Sequence, residues 1–160
     1  GLDCALITGA GTGSFEFEAA SGVYGELQPG SYLFMDRDYA DNQASSGAPR
    51  FEHALFVKSQ VMSRAESHAV IDAGHKAYAV DSGLPRVCGR DLEFAGCSDE
   101  HGVLRARADT LPELGDTVWL VPGHCDPTVN LHERYVVVRG GLEQGRVEAF
   151  WRVDARGAMA

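Results

Sequence analysis

From Val23 onward the sequence is a succession of short β-type segments divided by turn residues, and this rhythm constrains the fold more than any other feature. The segments are VYGELQ, SYLFM, the longer HALFVKSQVMS, HAVIDAG, KAYAV, TVWLV, YVVVRG and RVEAFWRV. Strands this short and this frequent predict a mainly β domain, a barrel or sandwich of antiparallel strands. DRDYADNQASSGAPR (36–50) is polar and turn-rich and reads as a loop, and a second loop is expected over about 81–102. The close of the chain reads as a hairpin: YVVVRGG, the turn LEQG, then RVEAFWRVDARG. The start of that second run breaks the alternation of a half-buried strand.

The first 22 residues differ. LDCALI (2–7) is an apolar run suited to a buried strand, TGAGTGS (8–14) is a glycine-rich turn, and FEFEAASG supplies one or two helical turns before Gly22. At 160 residues the chain can bury a real core, and 44% apolar with 23% charged residues is an ordinary globular balance. A net charge of −9 argues against nucleic acid, which needs clustered Lys and Arg. No apolar window nears the roughly 20 residues that span a bilayer, and no signal peptide is visible. Cys4, Cys88, Cys97 and Cys125 form no CxxC pair and read as reduced thiols of a cytoplasmic protein. The chain opens on Gly1 without methionine and goes almost at once into an apolar run and a glycine-rich turn, which suggests a start inside a larger protein; removal of an initiator methionine fits Gly1 alone equally well.

Three stretches carry chemistry. In VPGHCDPTVNLHERY (121–135), His124, Cys125 and Asp126 stand between Pro122 and Pro127. If residues 123–127 are extended, His124 and Asp126 project to one side and Cys125 to the other. An imidazole nitrogen and a carboxylate would then meet one divalent cation, with open positions for water or substrate. His132 is a candidate third ligand; the plainer alternative is a turn in which Asp126 caps a backbone N–H. GAGTGS brings backbone amides and the hydroxyls of Thr12 and Ser14 together, a pattern that binds phosphate without a basic side chain, or else a flexible strand-to-helix turn. It is neither a P-loop nor a GxGxxG motif. CSDEHG (97–102) groups Asp99, Glu100 and His101 in acid–base range or as a solvated cluster. Lys58 and Lys76 read as solvated lysines.

Together these pieces resemble the C-terminal half of the D-threonine aldolase and D-serine dehydratase family, pyridoxal-phosphate enzymes with an alanine-racemase-like barrel (fold type III) and a following β-domain. ITGAGTGSFEFEAASGVYGELQPGSYLFMDRDY, VDSGLP, CSDEHG and VPGHCDPTVNLHERY stand in the family's order along nearly the whole chain. The resemblance implies that residues 1–22 end the coenzyme-binding α/β barrel, with its last strand and phosphate loop, and that 23–160 form the β-domain with a metal site. Ala10, Gly11, Thr12, Gly13 and Ser14 would wrap the coenzyme phosphate, with Ala10 standing where glycine is more usual. His124 and Asp126 would hold a divalent ion, manganese or zinc, with magnesium or cobalt as alternatives, against the substrate's 3-hydroxyl; Asp99 and His101 would lie close to it. The dehydratase branch tends to carry Cys at the position of Asp126, so HCD leans toward the aldolase branch. The implied activity is retro-aldol cleavage of D-3-hydroxy-amino acids to glycine and an aldehyde. One alternative is a D-serine or D-3-hydroxyaspartate dehydratase giving a 2-oxo acid and ammonia; another is a non-catalytic β-domain for dimer assembly. The family's Schiff-base lysine lies in an N-terminal barrel segment, which becomes an expected partner, as does a second copy in a homodimer.

Overall fold

The computed structural model describes residues 3–157. Its centre is a six-stranded antiparallel sheet built from β3 (Val57–Arg64), β4 (Ala69–Ile71), β5 (Arg86–Val87), β6 (Leu92–Cys97), β7 (Gly102–Ala106) and β8 (Thr117–Val121), in the spatial order β5-β8-β3-β4-β7-β6. The edge strands β5 and β6 are consecutive in sequence, so the sheet curls until its two ends nearly meet, the β-barrel outcome expected from the strand rhythm.

The core follows from alternation. Along β3 Val57, Ser59 and Val61 point inward while Lys58, Gln60 and Met62 point out. Ile71, Leu104 and Leu120 are fully buried, each contributing about 1.5–3 kcal/mol from apolar surface removed from water. Buried Tyr78 sets its ring edge-on to Phe94 at 5.7 Å and donates its hydroxyl to Ala73 O at 3.0 Å. Buried Ser59 donates to Asp72 Oδ1 at 2.7 Å, and the Gln60 N–H donates to the same oxygen at 2.8 Å.

Two smaller units flank the sheet. Strands β1 (Thr8–Gly9) and β2 (Glu26–Leu27) pair in parallel around helix α1 (Phe15–Ser21), a miniature β-α-β unit. The helix ends on Gly22 at φ 69, the left-handed cap its sequence calls for. Strands β9 (Arg134–Arg139) and β10 (Arg146–Arg152) form the expected closing hairpin, and its register shifts between Val147 and Ala149, where alternation fails in the sequence.

Several expectations are corrected. SYLFM is a single 3-10 turn, Ser31–Leu33, because its amides find partners outside any sheet: Met35 N donates to Ser31 O and Tyr32 N to the Thr12 hydroxyl. KAYAV is a turn, bound through Ala77 N to Gly74 O and Lys76 N to Asp99 O. The loop expected at 36–50 opens with a helix, α2 (Arg37–Ala40). The loop expected over 81–102 holds β5 and β6 and leads into β7; in β6, Leu92 and Phe94 point inward with Glu93 between. Residues 3–7 of LDCALI are exposed and form no strand, pairing beginning at Thr8, while Leu2 lies outside the described residues. No described helix is long and apolar enough to cross a membrane.

Candidate functional site

Residues 123–127 are not extended throughout. His124 is extended, at φ −140 and ψ 122, and is the N-cap of α3 (Cys125–Asn130). Asp126 lies in the first helical turn, and Pro127 sits there too, where its missing N–H costs no intrahelical bond. The two ligand candidates therefore flank a helix start, and the strand-like projection to one side does not apply.

What fixes this helix start is Asp36, a fully buried carboxylate and the N-cap of α2. Its Oδ1 accepts from Tyr39 N at 3.0 Å, and its Oδ2 accepts from Cys125 N at 2.8 Å across 89 residues of chain. In return the first amides of α2, Arg37 N and Asp38 N, donate to Pro122 O and Gly123 O at 3.0 and 3.1 Å. One carboxylate thus caps two short helices at once, satisfying amides that helix starts leave unpaired. Cys125, between the two candidate ligands, is buried, and burial pushes its thiol up to about 11. The donor set on offer is nitrogen and oxygen, without thiolate.

The second strut is VDSGLP. Asp81 Oδ2 lies 2.6 Å from His124 Nδ1, with Ser82 Oγ at 3.5 Å from the same nitrogen. Since a carboxylate only accepts, this contact assigns the proton to Nδ1 and leaves the Nε2 lone pair free to ligate. The hydrogen bond from His124 holds the Asp81 carboxyl below the usual carboxylate range, against the opposing pull of burial. Gly123 presses so close to Gly83 that a Cβ there would fall 2.1 Å from Gly83 O. Asp36, Asp81 and this glycine contact carry no assigned role in the sequence reading. The available signals were an aspartate ahead of RDYA, as an N-cap signature, and the VDSGLP motif itself.

At the glycine-rich turn, Ala10 adopts φ 72, the left-handed region that favours glycine. Gly11 has open space where a Cβ would stand. Ser14 Oγ accepts from Gly11 N at 3.3 Å, and the buried Thr12 Oγ1 accepts from Tyr32 N at 3.0 Å. Each hydroxyl keeps its own proton to donate. A bare backbone beside two hydroxyl donors suits a phosphate.

The loop bearing Asp99 and His101 packs against residues 74–76. A Cβ at Gly74 would lie 2.3 Å from Ser98 O, and His75 N and Lys76 N donate to Ser98 O and Asp99 O. Lys76 is paired with Glu100 at 2.7 Å, and Lys58 stands over the Trp119 ring at 5.8 Å. His132 Nε2 contacts Ala77 O at 2.8 Å. Among the described residues no group of three or more His, Cys, Asp or Glu side chains is placed to hold a metal ion, so neither His132 nor the 97–102 loop joins His124 and Asp126 as a further ligand.

A family model described as "Putative serine dehydratase domain" matches residues 54–138. The 3-hydroxy-D-aspartate aldolase of Paracoccus denitrificans (strain Pd 1222) is 50% identical over 163 residues, covering 98% of this chain and 41% of its own. The crystal structure of D-threonine aldolase from Filomicrobium marinum superposes with a TM-score of 0.92 at 50% identity, covering 99% of this chain and 43% of that one. The D-threo-3-hydroxyaspartate dehydratase from Delftia sp. HT23 superposes at 0.66 with 26% identity, over 95% of this chain and 45% of its own. This chain thus spans about two fifths of the length of the curated relatives it matches.

Proposed function

The chain belongs to this serine dehydratase domain family, and from that premise we propose that it forms the C-terminal part of a metal-activated, pyridoxal-phosphate-dependent aldolase that cleaves D-3-hydroxy-amino acids to glycine and an aldehyde. The observation that carries the reading is 50% identity over essentially the whole chain to an enzyme named 3-hydroxy-D-aspartate aldolase. The structure named D-threonine aldolase points the same way.

The residues present fit both groups the family implies. Ala10 to Ser14 would hold the phosphate on backbone amides and two hydroxyls, with Gly11 left bare for close approach. His124 Nε2 and the Asp126 carboxylate would hold a manganese or zinc ion. When bound, the coenzyme supplies an electron sink and the cation acidifies the substrate's 3-hydroxyl. The chain's own part is positional: Asp36 fixes the start of α3, whose first turn carries Asp126 two positions after His124. We assign proton transfer near the substrate to Asp99 and His101, on a loop held by its bonds to residues 74–76. Leu6, Phe17, Leu33, Val136, Phe150 and Trp151 are exposed apolar side chains, which supports burial against an N-terminal barrel segment and a second copy in a homodimer. The parallel β1–α1–β2 unit supports a barrel end at the start of the chain, and we set the passage into the β-domain just after Leu27, beyond residue 22. Four free thiols are in keeping with a cytoplasmic setting.

The dehydratase alternative has a specific observation behind it, the similarity to the Delftia enzyme. Incubating the intact enzyme with D-threonine separates the two. Acetaldehyde with glycine supports the aldolase; 2-oxobutyrate with ammonia, and no acetaldehyde, refutes it. A purely assembling β-domain would leave turnover unchanged in His124→Ala.

A further inference from the structure

The segment Ala79–Leu84 is fastened at two points to the start of α3 and at a third to α2. The Thr128 hydroxyl donates to His124 O at 2.7 Å and accepts from Ala79 N at 3.1 Å, tying the front of the segment to the first helical turn. Gly83, at φ 107, lies against Gly123 with no room for a side chain between them. Arg37 Nη1 donates to Leu84 O at 2.7 Å, fixing the back of the segment to α2, whose own cap holds Cys125. Between these anchors the Asp81 carboxylate accepts from His124 Nδ1 at 2.6 Å, with Ser82 Oγ 3.5 Å from the same nitrogen. A loop so constrained around a carboxylate–imidazole contact is suited to fixing that imidazole.

We propose that Asp81 is the positioning residue of His124: it holds the proton on Nδ1, fixes the ring plane, and so keeps the Nε2 lone pair presented as a cation ligand. The inference rests on reading His124 and Asp126 as the cation pair, and adds a residue to that site which neither ligates nor touches substrate. The physical reason is general. A ligating histidine whose other nitrogen is unpaired divides its time between tautomers and ring rotations, and only a fraction of those states can bind. A carboxylate acceptor selects one tautomer and makes the free nitrogen more basic.

The test uses the intact enzyme stripped of metal and titrated with Mn²⁺ alone, binding being read from loss of the free-ion electron paramagnetic resonance signal. Wild type is expected to bind one ion per chain and His124→Ala to lose that binding. Asp81→Asn is expected to weaken it by about 10–100-fold, with Asp81→Glu recovering part of the loss and circular dichroism unchanged. The ¹⁵N shifts of His124 in the metal-free wild type should report protonation on Nδ1, a readout that does not depend on how well any variant folds. Unchanged Mn²⁺ affinity in Asp81→Asn, with binding abolished in His124→Ala, overturns the role of Asp81 and leaves the cation pair standing. An Nε2-protonated ring in wild type overturns it as well. Binding that survives His124→Ala removes the cation pair itself, and the positioning role falls with it.

Discussion

Replacing Asp36 by alanine removes the carboxylate that caps two helices. The side chain is fully buried, so water cannot substitute for it. Loss of the cap on α2 costs about 1 kcal/mol. The Cys125 N–H, at a buried residue and donating to Asp36 Oδ2 at 2.8 Å, is left without its partner, which adds about 1–3 kcal/mol. The sum is about 3 kcal/mol, large against the roughly 5–15 kcal/mol of a typical domain. Asp36→Asn keeps one acceptor oxygen and sets an amide N–H₂ against the other donor, so about half the loss is expected. Equilibrium urea unfolding of the intact protein, followed by tryptophan fluorescence, measures the stability change. Hydrogen exchange of amides 125–130 measures whether α3 loosens selectively. An Asp36→Ala variant within about 0.5 kcal/mol of wild type, with α3 amides as protected as before, refutes the double-cap account.

Three further outcomes follow from particular residues. Ala10→Gly should raise Tm by about 1–3 °C, since a left-handed alanine costs about 1–2 kcal/mol and the added chain entropy of glycine returns only part of it; a lower Tm would contradict the strain at φ 72. Gly123→Ala should cost about 1–3 kcal/mol or more in thermal unfolding, because the backbone oxygen of Gly83 cannot yield as a flexible side chain would, and wild-type stability would sink that reasoning. Burial pushes the Asp72 carboxyl up, but hydrogen bonds from the Gln60 amide and the Ser59 hydroxyl outweigh it and hold the group below its usual value. Its folded pKa being lowered, it favours the folded state above about pH 4 and loses that contribution as pH falls further. The Tm of Asp72→Asn should therefore lie below wild type at pH 7, with the gap narrowing as the pH falls into the acid range; a constant gap would count against the assignment.

The strand rhythm made most of the β-domain legible, because period-two alternation reports burial wherever one face meets the core. TVWLV coincides with β8, and the break in RVEAFWRV coincides with the register shift of the hairpin. The same rule applied to composition alone misled at KAYAV and SYLFM: Tyr78 is buried from a turn, and Tyr32 donates its amide to a side chain 20 residues back. LEFAGC shows the opposite error, an alternating strand hidden among turn residues. At the cation pair the residue types were readable but not their geometry. Whether HCDP continues a strand or starts a helix is decided by Asp36, 89 residues away, and no local pattern contains that contact.

The seam where Gly83 meets Gly123 has a mechanical corollary. Two loops abutting through naked main chain move as one piece, so lengthening or shortening either by a residue would carry Asp81 and His124 out of step together. Attempts to re-engineer this domain should spare both turns and vary the walls around them.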